Sequence, residues 1–337
     1  MRKAATSLPV VLVVLVMNLQ ATGQGMIVIA HRGASGYLPE HTLPAKALAY
    51  GMGADYIEQD VVLTKDDRPI VLHDIHLDTV TDVAIKYPER RRQDGRYYAI
   101  DLTLAEIKQL NAHERVSHET HDPVYIERFP FGKSAFRVPT LAEEIELIQG
   151  LNQSTGRQVG IYPEIKKPAW HRQEGKDISK IVLRVLAEYG YDGPDDAIYL
   201  QCFDPVETRR IREELHCQLK LIQLIANNDW EESPADFDSL RTEAGIKQIA
   251  EYADGIGPSI SHILEPVDHS DGFQLTELVR WAHANDLQVH PFTLRADALP
   301  DFVTSMEELM AILADQVSVD GVFTDFPDRA REFLISR

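Results

Sequence analysis

Eight short apolar, β-branched runs punctuate the chain: "IVIA" (27–30), "DYIEQDVVLT" (55–64), "VGIYPEI" (159–165), "AIYLQCF" (197–203), "LKLIQLI" (219–225), "DGIGPS" (254–259), "LQVHPFTL" (287–294) and "GVFTDFP" (321–327). Helical patterns lie between most of them. Strands that alternate with helices pair in parallel, because each crossover lays its helix over the sheet. Eight such units predict an α/β fold closed as a (β/α)8 TIM barrel, in preference to an open doubly wound sheet. Caps sharpen the helices. "HTLPAKALAYG" has Gly51 as its stop, and "TLAEEIELIQG" opens on the capping box Thr140-x-x-Glu143 and ends at Gly150. In "DPVETRRIREEL", Asp204 is the cap, Pro205 takes the first helical position and Glu207 lies three residues after the cap.

One interval breaks the rhythm. Between "IVLHD" (70–74) and the helix at 140 lie about sixty-five residues rich in charge and aromatics, with a capping box of their own at Thr103-x-x-Glu106. An insertion over about 75–139, placed after the second strand, would overhang the C-terminal rim where barrel active sites form. It is predicted to shape a lid or a substrate wall.

Arg2 and Lys3, the apolar run "LPVVLVVLVMNL" (8–19) and the small residues Ala21 and Gly23 predict a signal peptide over residues 1–23. The run is short for a transmembrane helix, and no Cys near the cleavage site could carry a lipid. The mature domain is then 24–337, exported and without stable membrane association. The formal charge is −19, and losing a leader with two cations and no acid takes it to −21. So acidic a surface argues against nucleic acid and anionic lipid as partners. A phosphate ester bound here must find its positive charge locally. Cys202 and Cys217 are expected to be buried, free thiols.

The strand ends carry the reactive groups. The first ends at His31-Arg32. The second holds Glu58 and Asp60, whose spacing of two puts both on one face. His73-Asp74 closes the next short run, and Glu164-x-Lys166 closes the third strand. Three converging carboxylates repel one another unless a divalent cation joins them, and an all-oxygen set suits Ca²⁺ or Mg²⁺ rather than zinc. Glu58, Asp60 and Glu164 are the expected metal ligands. His31 and His73 are the expected acid–base pair, since imidazole titrates near neutrality. Arg32 offers a planar fork to phosphate oxygens and Lys166 a point charge. Gly33 and Gly36 lack the Lys-Ser/Thr of a phosphate-binding P-loop, so Gly33 is expected to serve a sharp turn instead.

"HRGASGYLPEHT", "EQDVVLTKDDRPIVLHD", "PEIK" and "GVFTDFP" together resemble the glycerophosphodiester phosphodiesterase family, in its exported, periplasmic bacterial branch. The likeness runs from about residue 27 to 335 and includes the insertion. It implies hydrolysis of small-molecule glycerophosphodiesters, the deacylated phospholipids, to glycerol 3-phosphate and an alcohol. By position it makes His31 and His73 catalytic, Glu58, Asp60 and Glu164 metal ligands, and Arg32 and Lys166 phosphate contacts. Ca²⁺ is favoured over Mg²⁺ by the exported branch. His41 departs from the Asn that many relatives carry in "PENT". Phe203 and Phe292 stay open between a wall for the glycerol carbons and plain core. Two other functions fit the scaffold: a barrel phosphodiesterase acting on intact phospholipid, which needs a membrane-docking face, and a non-catalytic exported binding protein, which would be free to lose the reactive groups.

Overall fold

The computed structural model describes residues 25–267 and 272–337. The expected signal peptide lies outside the described residues. Among the described residues eleven strands form: β1 Ile27–Ala30, β2 Tyr56–Leu63, β3 Pro69–Val71, β4 Gly160–Ile165, β5 Tyr199–Cys202, β6 Lys220–Ile225, β7 Gly255–Pro258, β8 Leu264–Pro266, β9 Phe273–Leu275, β10 Gln288–Val289 and β11 Gly321–Thr324. Eight of them run parallel in the order β10-β7-β6-β5-β4-β2-β1-β11. The seam between the two ends is closed by backbone hydrogen bonds: Asp320 N–H donates to Val289, Phe323 N–H to Pro291, and Leu294 N–H to Phe323. These eight are the runs that the sequence predicts, and the fold is the (β/α)8 barrel.

An outer helix follows each barrel strand, from Leu43–Gly51 after β1 to Pro327–Ile335 after β11. The caps form as their residue types dictate. The Thr140–Glu143 and Thr103–Glu106 boxes are both complete, and Asp204 accepts from the Val206 and Glu207 amides. One boundary differs. The helix from Leu141 runs through Gly150 to Thr155 and ends at Gly156, which takes the left-handed conformation at φ 74°. Gly150 keeps helical geometry, and the Asn152 side chain of the last turn pairs twice with the Val159 backbone across the true end. The seventh barrel strand is also shorter than 287–294. Pro291 has no N–H to give the ladder, so regular pairing lapses after Val289 while the carbonyls keep the seam.

Alternation within the strands separates two apolar layers. Val28, Ala30, Ile57, Val61, Ile161 and Ile165 point outward under the helices. Ile29, Tyr162, Tyr199, Ile222 and Phe323 point inward and fill the lower barrel, with the Tyr162 and Tyr199 rings stacked 5.0 Å apart. The inward parity of Tyr56 and Tyr162 carries Glu58, Asp60 and Glu164 to the upper end of the same face. β3 folds back antiparallel on β2, with Val71 opposite Val61. The residues between β3 and helix Leu141–Thr155 form only short elements around a separate cluster that includes Leu77, Leu102, Ile107 and Phe136. Cys202 and Cys217 are buried and unpaired.

The lower barrel has no spare room. A Cβ on Gly160 would come within 2.6 Å of the Ala197 carbonyl and closer still to the Tyr56 ring. Gly160→Ala is expected to destabilise the barrel by about 1–3 kcal/mol, read as a lower urea midpoint at unchanged slope. An unchanged midpoint would mean that the layer can yield.

Candidate active site

The loop that leaves β1 is bent by two consecutive residues of positive φ, Arg32 at 58° and Gly33 at 88°. A Cβ on Gly33 would meet the Ala45 backbone at 2.9 Å, so the sharp turn predicted there needs glycine. The turn points the Arg32 amide at Glu58, whose Oε2 accepts at 2.8 Å. Arg32 extends across the rim, donating Nη1 to Glu40 Oε2 at 3.0 Å, with Nε 3.7 Å from Asp60.

Glu58, Asp60 and Glu164 each offer an oxygen within 4.8 Å of the others, and all three are buried. Asp60 Oδ1 lacks a hydrogen-bond partner. Burial and the charge of Asp60 push Glu58 up to about 8. Burial raises Glu164 well above the usual carboxylate range, against the pull of Lys166 Nζ 2.7 Å away. Burial acts on Asp60 in the same sense, but His41 and Lys166 overcome it and hold that carboxyl well below its ordinary value. A buried oxygen cluster with an orphaned acceptor and two carboxyls straining against ionisation fits a divalent cation.

The two histidines share a pattern. His31 Nδ1 lies 2.5 Å from Asp325 Oδ1, and His73 Nδ1 lies 2.7 Å from Asp74 Oδ1. An ionised carboxylate only accepts, so each imidazole carries its proton on Nδ1 and presents Nε2 to the site. His31 Nε2 stands 3.9 Å from Glu58. Burial lowers His31 to about 4 despite Asp325, and burial lowers His73 as well. His31, Arg32, His73, the three acids, Phe203 and Phe292 line one cavity of about 510 Å³. Lys166 stands behind Glu164, 5.4 Å from the centre of the Phe203 ring.

The cavity has two walls. Strands β1, β2 and β4 supply the charged side, while Leu224, Trp230, Ile260, Leu264, Phe292 and Phe302 make the other apolar. Phe203 and Phe292 meet edge to face, 5.9 Å apart, at the border. Both therefore belong to the wall and remain packed against neighbours.

Sequence reasoning missed several groups. Gln201 donates to Glu58 Oε1 at 3.0 Å, and its inward parity with Tyr199 was available as a signal. Asp325 lies within the "GVFTDFP" run, directly after β11, and could have been counted among the strand-end acids. His41, the departure from the "PENT" pattern, donates Nε2–H to Asp60 Oδ2 at 2.7 Å. Lys46 Nζ, 3.1 Å from His41 Nδ1, can only donate and so fixes that tautomer. Lys46 pairs in turn with buried Glu144 at 3.2 Å. Nothing in residue spacing marks that chain.

A parallel barrel with acids, imidazoles and cations around one mouth at its C-terminal rim has the architecture of a phosphodiester hydrolase. The Glycerophosphoryl diester phosphodiesterase family model matches residues 31–329, and the chain belongs to that family. The glycerophosphodiester phosphodiesterase of Haemophilus influenzae is 48% identical over 91% of this chain and 89% of its own length. That of Treponema pallidum is 40% identical over 91% of both chains. Among solved structures, an Oleispira antarctica phosphodiesterase in complex with the product sn-glycerol-3-phosphate shares the fold at TM-score 0.62 and 21% identity, over 92% of this chain and 96% of that one. The activity is therefore hydrolysis of glycerophosphodiesters.

Metal binding should be coupled to proton release. The ion needs all three carboxylates ionised, and Glu58 titrates near 8 without it. Affinity is expected to rise with pH through neutrality. Calorimetry at pH 7 in buffers of different ionisation enthalpy should detect about one proton or more released per ion. Binding without proton release would contradict the raised carboxyls.

Proposed function

We propose that the protein is an exported, metal-dependent glycerophosphodiester phosphodiesterase that uses His31 and His73 as its acid–base pair and releases sn-glycerol 3-phosphate. The observation that carries this reading is the lining of one cavity by both imidazoles, each held at Nδ1 by a carboxylate, beside the buried acid triad. Glu58, Asp60 and Glu164 would hold the cation, with Ca²⁺ favoured over Mg²⁺. When bound, the cation supplies Lewis-acid stabilisation of charge on the non-bridging phosphate oxygens.

Arg32 binds a phosphate oxygen, with Lys166 adding positive charge from behind Glu164. One neutral imidazole takes the proton of the neighbouring glycerol hydroxyl. That oxygen attacks phosphorus while the bond to the alcohol breaks, and the second imidazole, protonated, gives its proton to the departing alkoxide. A cyclic phosphate results. Water then opens it with the proton roles reversed, leaving glycerol 3-phosphate and both imidazoles as they began. An intramolecular hydroxyl gains about 7–11 kcal/mol from proximity alone. Phe203 and Phe292 border the charged wall where glycerol carbons would lie.

The exported location rests on the leader over residues 1–23, which precedes a mature domain of 24–337 with 75–139 as its inserted subdomain. Among the described residues, no helix is long and apolar enough to cross a membrane.

His31→Ala and His73→Ala should each lower kcat on glycerophosphocholine by about 10²–10⁴-fold. Chelation should abolish turnover, and Ca²⁺ should restore it more fully than Mg²⁺. Full activity in either histidine variant would remove the acid–base pairing, and turnover in chelator would remove the metal.

A further inference from the structure

The segment between β3 and helix Leu141–Thr155 sends two guanidiniums to the barrel rim, and each ends on a carboxylate that holds an imidazole. Arg115 Nη1 donates to Asp74 Oδ2 at 2.6 Å, and Asp74 Oδ1 holds His73. Arg128 Nη2 donates to Asp325 Oδ2 at 2.7 Å, and Asp325 Oδ1 holds His31. Each carboxylate gives one oxygen to its imidazole and the other to arginine: Asp74 Oδ2 to Arg115, and Asp325 Oδ2 to both Arg128 and Arg295, whose Nε donates at 2.9 Å. Neither of the segment's two arginines is free to wander. Arg115 also forks onto Glu40 through Nε and Nη2, at 2.9 and 2.6 Å. Arg128 grips Asp297 with two bonds and lies 3.5 Å over the Tyr125 ring. A second cavity of about 180 Å³ is lined by both arginines and both imidazoles.

The segment does not need these contacts to hold together, since its own apolar cluster lies elsewhere, around Leu77, Leu102 and Phe136. We infer that Arg115 and Arg128 are positioning residues for the two imidazoles: Arg115 locks Asp74, and Arg128 locks Asp325 together with Arg295, so that His73 and His31 present Nε2 to the phosphodiester. The inference rests on reading those histidines as the acid–base pair. A carboxylate tied at one oxygen cannot rotate away from its imidazole, so the arginine acts through it without touching substrate. The segment thereby completes the site from beside the main cavity, which no residue of 75–139 lines.

The test uses two diesters of glycerol phosphate, one releasing choline and one releasing p-nitrophenol. Choline needs a proton to depart, and nitrophenolate does not. Arg115→Ala and Arg128→Ala should each lower kcat on the choline diester by about 10–100-fold. For Arg128→Ala, KM should stay near that of the parent enzyme. On the nitrophenyl diester the first-turnover burst of nitrophenolate should recover in one variant, namely the one whose imidazole acts as the acid in that step, while the other stays impaired. Steady-state turnover stays low in both, because the same imidazole is the base that opens the cyclic phosphate. A merely structural role would depress choline turnover and the nitrophenolate burst alike in both variants, and that result would overturn the inference, as would parent-like kcat in either variant. Arg115→Lys and Arg128→Lys keep the charge without the fork and carry the same comparison if an alanine variant fails to fold. His31→Ala and His73→Ala run alongside. Inactive histidine variants with unimpaired arginine variants defeat this inference alone, whereas active histidine variants defeat the acid–base reading beneath it.

Discussion

Three carboxylates buried at one end of a barrel cannot all ionise unassisted, and most of the site's surroundings answer that problem. Desolvation acts on each of them in the same direction. The structure relieves it unequally. Asp60 receives the His41 imidazole, itself backed by Lys46 and Glu144, and stays ionised. Glu58 and Glu164 remain reluctant to ionise although Lys166 and the Arg32 amide reach them. The chain thus supplies part of the positive charge and leaves the remainder to an ion. Full compensation by buried lysines would make a tighter apoprotein with no reason to bind a cation.

Barrel geometry makes such a concentration feasible. Inward parity is shared by adjacent parallel strands, and the register sets Asp60 opposite Glu164. The aromatic floor of Tyr56, Tyr162 and Tyr199 forms from the same parity one layer below. Local strain appears at the rim instead. Arg32 and His41 both sit at positive φ and are joined by a backbone bond of 3.0 Å, so the loop that carries them is held in a conformation most residues avoid.

This division explains what was legible in the residues. Strands, their inward parity and the helix caps are local properties, so the eight runs, the Thr140 and Asp204 caps and the Glu58–Asp60 face could all be read directly. The helix end at Gly150 misled because glycine permits a stop without requiring one, and the left-handed cap lies at Gly156 instead. The groups that orient the reactive side chains were not legible. Asp325 lies 294 residues from His31, Arg128 lies 197 residues from Asp325, and Arg115 comes from a segment with no strand register to place it. Buried charges are chosen by their partners, and partners are a property of the fold.

The acidic exterior and the cationic mouth also set how substrate arrives. With a net charge of −19, the long-range field opposes an anionic diester, so electrostatic steering offers nothing beyond about 8–10 Å, the Debye length at ordinary ionic strength. Attraction begins only at the rim, where the guanidiniums of Arg32 and Arg295 line the cavity. Such a site handles a small diester of single charge, which approaches with little repulsion and gains its contacts at short range. A polyanion or an anionic membrane would meet repulsion over its whole extent before any of it reached the mouth. The apolar wall of the cavity offers contact to uncharged carbons, and the charged wall offers contact to an anion.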